Sequence, residues 1–219
     1  MFLEQLLNGI TLGSTYALIA LGYTMVYGII QLINFAHGEV YMIGAFVGLF
    51  LVAMGANIFL ALLGAMLFCM LLGMTIERVA YRPLRGKSSR LSALISAIGV
   101  SIFLSTLMAL LAQTNTRSYP EVISNRTFNL GSMELSVLQI SILAVAAILM
   151  IGLQLMIQHT RLGKAMRASS QDLDASYLMG INVNRIISAT FAIGSALAAA
   201  GGVMVGVYYH AVWPYMGMM

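Results

Sequence analysis

IFLALLGAMLFCMLLGMTI (58–76), followed at once by ERVAYRPLRGKSSR (77–90), is the stretch whose reading decides the fold. The first part carries no charge, and as a helix rising 1.5 Å per residue it reaches nearly 30 Å, about the hydrocarbon thickness of a bilayer. The second part holds Arg78, Arg82, Arg85, Lys87 and Arg90 against the single acid Glu77. An apolar run of spanning length closed by a basic loop reads as a membrane helix whose end stays in the cytoplasm.

The pattern repeats along the chain. Its 219 residues are 60% hydrophobic and 8% charged, whereas a soluble domain is about 25% charged. Long uncharged runs place spans at about 6–30, 40–54, 58–76, 92–112, 136–157 and 186–209. Gly55, Ala56 and Asn57 supply the only plausible turn between the second and third. Strand-like alternation is absent, and backbone facing lipid must satisfy itself internally, so the runs are expected to be helices and not a barrel. The expected fold is an all-α polytopic membrane protein, one transmembrane domain over 1–219, with about six spans. The N-terminal run has no basic residue ahead of it and exceeds signal-peptide length, so it reads as a span.

Loop charges set the expected orientation. Residues 158–185 hold Arg161, Lys164, Arg167 and Arg185 against Asp172 and Asp174, while 113–135 hold only Arg117 and Arg126. Loops 77–90 and 158–185 are therefore expected inside, and 113–135, the N-terminus and 208–219 outside. The net charge of +4 sits in these short loops, which argues for membrane orientation and against a nucleic-acid partner. The sequon Asn125-Arg126-Thr127 reads as chance. Cys69 lies within an apolar run and reads as a small buried hydrophobe.

Small residues four apart mark close helix crossings in lipid. They recur as Gly9, Gly13 and Ala17 in span one, as Gly44 and Gly48 in span two, and as Gly194, Ala198, Gly202 and Gly206 in span six. Such stripes pack a subunit internally or pair it with a second one. The Met residues, 17 in all, read as adaptable filling.

Polar residues cluster at 28–39, GIIQLINFAHGE, where Asn34, His37 and Glu39 interrupt an apolar region. Two readings compete. A discontinuous helix there presents groups to a substrate path or gate; alternatively a polar turn at the cytoplasmic end of span one leaves His37 and Glu39 in water. As a metal site the segment is poor, since one His and one Glu two apart close no coordination shell. Gly86-Lys87-Ser88 mimics the end of a phosphate loop, but Tyr81 stands where that motif needs its first glycine. His37, His159 and His210 are scattered, and no nucleophile–base set is apparent, so catalysis is not expected. Residues 160–185, 26 in all, show helical spacing (Leu162, Ala165, Met166, Ser169, then Leu173, Ser176, Tyr177), which predicts an amphipathic helix that Gly180 can end. Such a helix docks a partner or lies on the bilayer.

NGITLGSTYAL (8–18), INFAHGE (33–39), YRPLRG (81–86), TRLGKAMRA (160–168) and LMGINV (178–183) together resemble the branched-chain amino-acid ABC transporter permease, LivH type, over nearly the whole chain. The resemblance implies the transmembrane subunit of an ATP-driven importer in the bacterial inner membrane, forming the path for leucine, isoleucine and valine. It also implies a second homologous permease, two ATP-binding subunits, a periplasmic substrate-binding protein, and ATP used by the partners with no cofactor on this chain. Arg161, Gly163, Arg167 and Gly180 then fall in an ATPase-coupling loop. Urea and short-amide importers share these motifs; a stand-alone secondary transporter and a membrane assembly protein are the readings outside the class. Family members continue past the sixth span with roughly two more spans of about 20 residues, so this chain looks C-terminally truncated beside them.

Overall fold

The computed structural model describes residues 2–84, 90–123, 127–130 and 133–218; the sequon's Asn125 and Arg126, and Arg85 and Lys87 of the basic loop, lie outside them. Helix α1 (Phe2–Ile30) leads through an extended segment to α2 (His37–Ala53), and a turn at 54–57 leads to α3 (Ile58–Ile76). Asn57 starts α3 by accepting from the Phe59 backbone N–H at 3.1 Å, which satisfies one of the donors a helix start leaves open. A π turn (Glu77–Tyr81) and a 3-10 turn (Arg82–Leu84) prolong α3, and α4 (Arg90–Ala112) follows. Strand β1 (Arg117–Ser118) and a hairpin of β2 (Thr127–Leu130) and β3 (Met133–Ser136) lead to α5 (Val137–His159). Then come α6 (Arg161–Gln171), α7 (Leu173–Leu178), α8 (Val183–Tyr209), β4 (Ala211–Val212) and a 3-10 turn (Met216–Met218). β1 pairs antiparallel with β4, Arg117 opposite Val212, and β2 with β3, Thr127 opposite Ser136.

The protein is an all-α polytopic membrane protein. Among the described residues five helices are long and apolar enough to cross a bilayer: α1, α3 with its extension, α4, α5 and α8. α2 has only 17 residues and starts beside the middle of α1, so the second apolar run is a shorter helix than the other five. The ends of the helices sort by charge. The turn after α3, the start of α4, the end of α5, and all of α6 and α7 gather at one end, called here the basic end.

α8 is the central post. Of its apolar window 89% is buried, against 17–33% for the four other long helices. Small residues explain how three helices reach it. A Cβ on Gly44 would meet the Ala199 Cα at 2.4 Å, and one on Gly202 would meet the Tyr41 carbonyl oxygen at 2.2 Å, so α2 and α8 cross backbone to backbone. Gly22 of α1 faces Gly194, and Gly73 of α3 faces Ser195 and Phe191. Lipid tails are as apolar as leucine, so dispersion across these close crossings holds the bundle. Gly9 and Gly13 have nothing within reach; α1 buries Thr11, Thr15, Leu18, Gly22 and Val26 instead, and its expected small-residue stripe faces outward. Cys69 is buried, its thiol 3.6 Å from the Val40 carbonyl. At the end opposite the basic one, Ser136 and Gln139 form a capping box that starts α5, and Gln139 donates to Asn8 at 2.6 Å, tying α5 to α1.

Candidate functional site: a half-helix cavity and a capped loop

The polar segment after α1 does not turn in water. Gln31 takes a left-handed φ of 54°, which ends α1, and the chain then runs back alongside it. His37, at the start of α2, donates from Nε2 to the Ile19 carbonyl at 3.2 Å. Ile19 stands about three turns before the end of α1 at Ile30, ~16 Å along a helix, which is about half the hydrocarbon thickness. His37 and Glu39 are 2% and 1% exposed. The water-facing alternative for them is thus corrected: returning chain carries both into the interior.

Each of the three predicted residues has a definite place. Asn34 is buried, accepts from the Tyr81 hydroxyl at 3.0 Å, and through its own carbonyl accepts from the His37 backbone N–H at 3.1 Å. His37 also meets the Tyr23 ring edge-on, centroids 6.0 Å apart. Glu39 points away from both: its Oε1 accepts from Ser101 of α4 at 3.1 Å, and its Oε2 is buried with no hydrogen-bond partner.

Asn34 and His37 line a cavity of about 630 Å³ between α1, α2, the end of α8 and the chain after it. Its walls are mostly apolar and aromatic, among them Tyr16, Ile19, Tyr23, Tyr41, Tyr209 and Trp213. Glu39 is not among the wall residues. Residues after α8 fold back to reach the start of α2: the Tyr215 backbone N–H donates to the Met42 sulfur at 3.2 Å, and Gly38 and Gly217 meet so closely that a Cβ on either would strike the other's carbonyl oxygen. A half-helix opening at mid-depth turns its positive dipole end toward the cavity. Among the described residues no group of three or more His, Cys, Asp or Glu is placed to hold a metal.

The second predicted group lies at the basic end. Residues 160–180 form two helices, not the single one expected, because Asp172 ends α6 and caps α7 by accepting from the Asp174 and Ala175 N–H groups at 2.9 and 3.0 Å. Thr160 caps α6 by accepting from the Gly163 N–H at 3.0 Å. Gly163 is buried so close to the Ile157 backbone that no side chain fits. Arg167 reaches back from α6 and donates to the Ile157 carbonyl and, at 3.4 Å, to that of Gln158, satisfying acceptors that the end of α5 leaves open. Arg161 is exposed on the wall of a groove of about 520 Å³ between α6 and α7. Gly180 ends α7 at a φ of 81°, a conformation side chains disfavour. Just before it Tyr177, Leu178 and Met179 are 72%, 86% and 82% exposed. Three large apolar side chains in a row are bare at the tip of a capped loop.

Sequence reasoning missed the residues that hold these in place. Tyr81, Ser101 and the triangle of Glu77, Arg82 and Ser188 join different helices. Glu77 is fully buried; it accepts from Arg82 Nη2 at 3.1 Å and from the Ser188 hydroxyl at 2.6 Å. A glutamate inside an apolar bundle is unusual enough to have been singled out, but at 77 it stood beside the basic loop and read as part of it.

Comparison with known proteins identifies the family. The family model described as branched-chain amino acid transport system / permease component matches residues 5–219. The chain belongs to this permease family. It is 48% identical to the high-affinity branched-chain amino acid transport system permease protein BraD of Pseudomonas aeruginosa, with all of this chain and 75% of that protein covered. The corresponding LivH proteins of Salmonella typhimurium and Escherichia coli K12 are 46% and 45% identical, with the same coverage. A probable LivH protein of Methanocaldococcus jannaschii is 27% identical over 91% of this chain and 65% of its own. No solved structure matches the permease.

Proposed function

We propose that this permease is the membrane subunit of an ATP-driven importer of leucine, isoleucine and valine in the bacterial inner membrane, with the cavity at the start of α2 as part of the translocation path. The supporting observation is the mostly apolar cavity at the start of α2, in a bundle whose opposite end carries the bare loop tip. A cavity of this volume falls within the usual range of ligand pockets, ~300–1,000 Å³. Its apolar walls suit a branched aliphatic side chain, and the positive end of α2 suits a carboxylate. Among the described residues no charged side chain lines it, so a zwitterion meets no fixed charge to trap it.

Energy enters at the other end. In this reading Tyr177, Leu178 and Met179 seat in a groove of an ATP-hydrolysing subunit, a helix-in-groove contact, while Arg167 and Gly163 fix α6 on α5 so that a push on the tip moves the bundle. A second permease copy or homologue, a second ATP-binding subunit and a periplasmic binding protein complete the importer. The chain itself then needs no catalytic group and no cofactor. Uptake of labelled leucine and labelled urea in a strain lacking its own importers, supplied with the whole complex, tests the substrate. Leucine uptake that is abolished with the ATP-hydrolysing subunits removed is the expected result; urea uptake alone would replace the substrate assignment.

A further inference from the structure

We propose that Tyr81 is a positioning residue that carries movement of the 160–182 loop to the cavity wall, an inference that rests on the importer reading above. The connection is a chain of contacts between elements far apart in sequence. α8 emerges directly from the loop, and in its second turn the Ser188 hydroxyl donates to Glu77 at 2.6 Å and accepts from Arg82 at 2.8 Å. Arg82 also holds Glu77 through Nε at 3.3 Å. One turn further, Phe191 packs on the Tyr81 ring, centroids 5.2 Å apart.

These contacts grip the two ends of the π turn Glu77–Tyr81. A π turn is a strained insertion in an α-helix, often found at working sites, and here it swings Tyr81 inward until it is 1% exposed. Its hydroxyl donates to Asn34, the residue that orients His37 through the backbone and lines the cavity. The start of α8 is therefore fixed to the π turn, and the π turn to the chain that walls the path. The hydroxyl bond gives a shift at the start of α8 a direct route to Asn34, beside the backbone crossings that α8 makes with α1 and α2 further along.

Y81F removes that one oxygen and keeps the ring against Phe191. The test uses the intact complex with its ATP-hydrolysing partners in lipid. Thr24→Cys, on the cavity wall, in a Cys69→Ser background, reports access through its rate of labelling by a soluble maleimide. With Tyr81 present, ATP is expected to change that rate by about tenfold, and Y81F to lose most of the response while ATP hydrolysis is retained, the loss being that of one buried hydrogen bond. N34A is expected to behave alike, and the double variant to lose no more than either single one, since both remove the same bond. An unaltered ATP response in Y81F overturns the proposal. So does loss of ATP hydrolysis together with the response, which marks a merely structural defect, or additive losses in the double variant. Failure of the importer reading looks different: no ATP-hydrolysing subunit co-purifies, or the Tyr81 parent labels equally with and without ATP, and either result overturns both.

Discussion

Glu39 shows at the scale of one residue how the bundle tolerates a carboxyl group. It is 1% exposed and has a single bond, from Ser101. Ser101→Ala leaves both oxygens unbonded and is expected to destabilise the protein by about 1–3 kcal/mol, read as a lower midpoint of thermal unfolding in detergent. Glu39→Gln keeps an acceptor for Ser101 and removes the group that ionises, so it is expected to melt at or above the parent; a large drop would show that the charge itself is needed. Asn34, His37 and Glu39 were visible in sequence because polar groups in an apolar region stand out. Ser101 and Tyr81 were not. A hydroxyl in an apolar helix usually bonds to its own preceding turn, as Thr75 does to Leu71 and Ser105 to Ile102, and nothing local separates those from one that crosses to another helix.

Between elements, small residues decide which helices touch. Gly202→Ala places a methyl 2.2 Å from the Tyr41 carbonyl oxygen, and relief requires α2 and α8 to part, at about 1–3 kcal/mol or more for overpacking. Gly9→Ala and Gly13→Ala face open space and are expected to leave the melting midpoint unchanged. The comparison is informative because the two stripes have the same spacing. Spacing marks a surface that allows close approach; it does not say which helix approaches, and among the described residues the α8 stripe meets α1 and α2 while the α1 stripe meets nothing. The loop shows the same limit. Its apolar spacing was legible, but Asp172, which reads as one more polar residue of an amphipathic helix, caps a new helix instead. Asp172→Ala is expected to weaken α7 by about 1 kcal/mol, seen as faster amide exchange over 173–178 with α6 unchanged. Arg167→Ala and Gly180→Val are expected to abolish uptake while membrane levels hold, since one unpins α6 from α5 and the other forces a side chain into a left-handed turn. Normal uptake by both variants would remove the loop from the coupling route.

For the whole molecule, composition and the long uncharged runs were enough to establish an all-α membrane protein. They could not show that the second run starts at mid-depth, because hydropathy counts apolar residues and is blind to where a helix begins; the polar break at 28–39 fitted a discontinuous helix and a turn in water equally well. That returning segment makes the cavity, and α8 links it to the loop at the basic end. For such a link to drive transport, the loop tip must lie in the cytosol against a separate motor. A cysteine at Leu178 in a Cys69→Ser background, exposed to a membrane-impermeant maleimide in intact cells and in inverted vesicles, measures this directly. Labelling in inverted vesicles only, and blocked when the ATP-hydrolysing subunits are bound, is the predicted result; labelling in intact cells would contradict the topology and, with it, the mechanism.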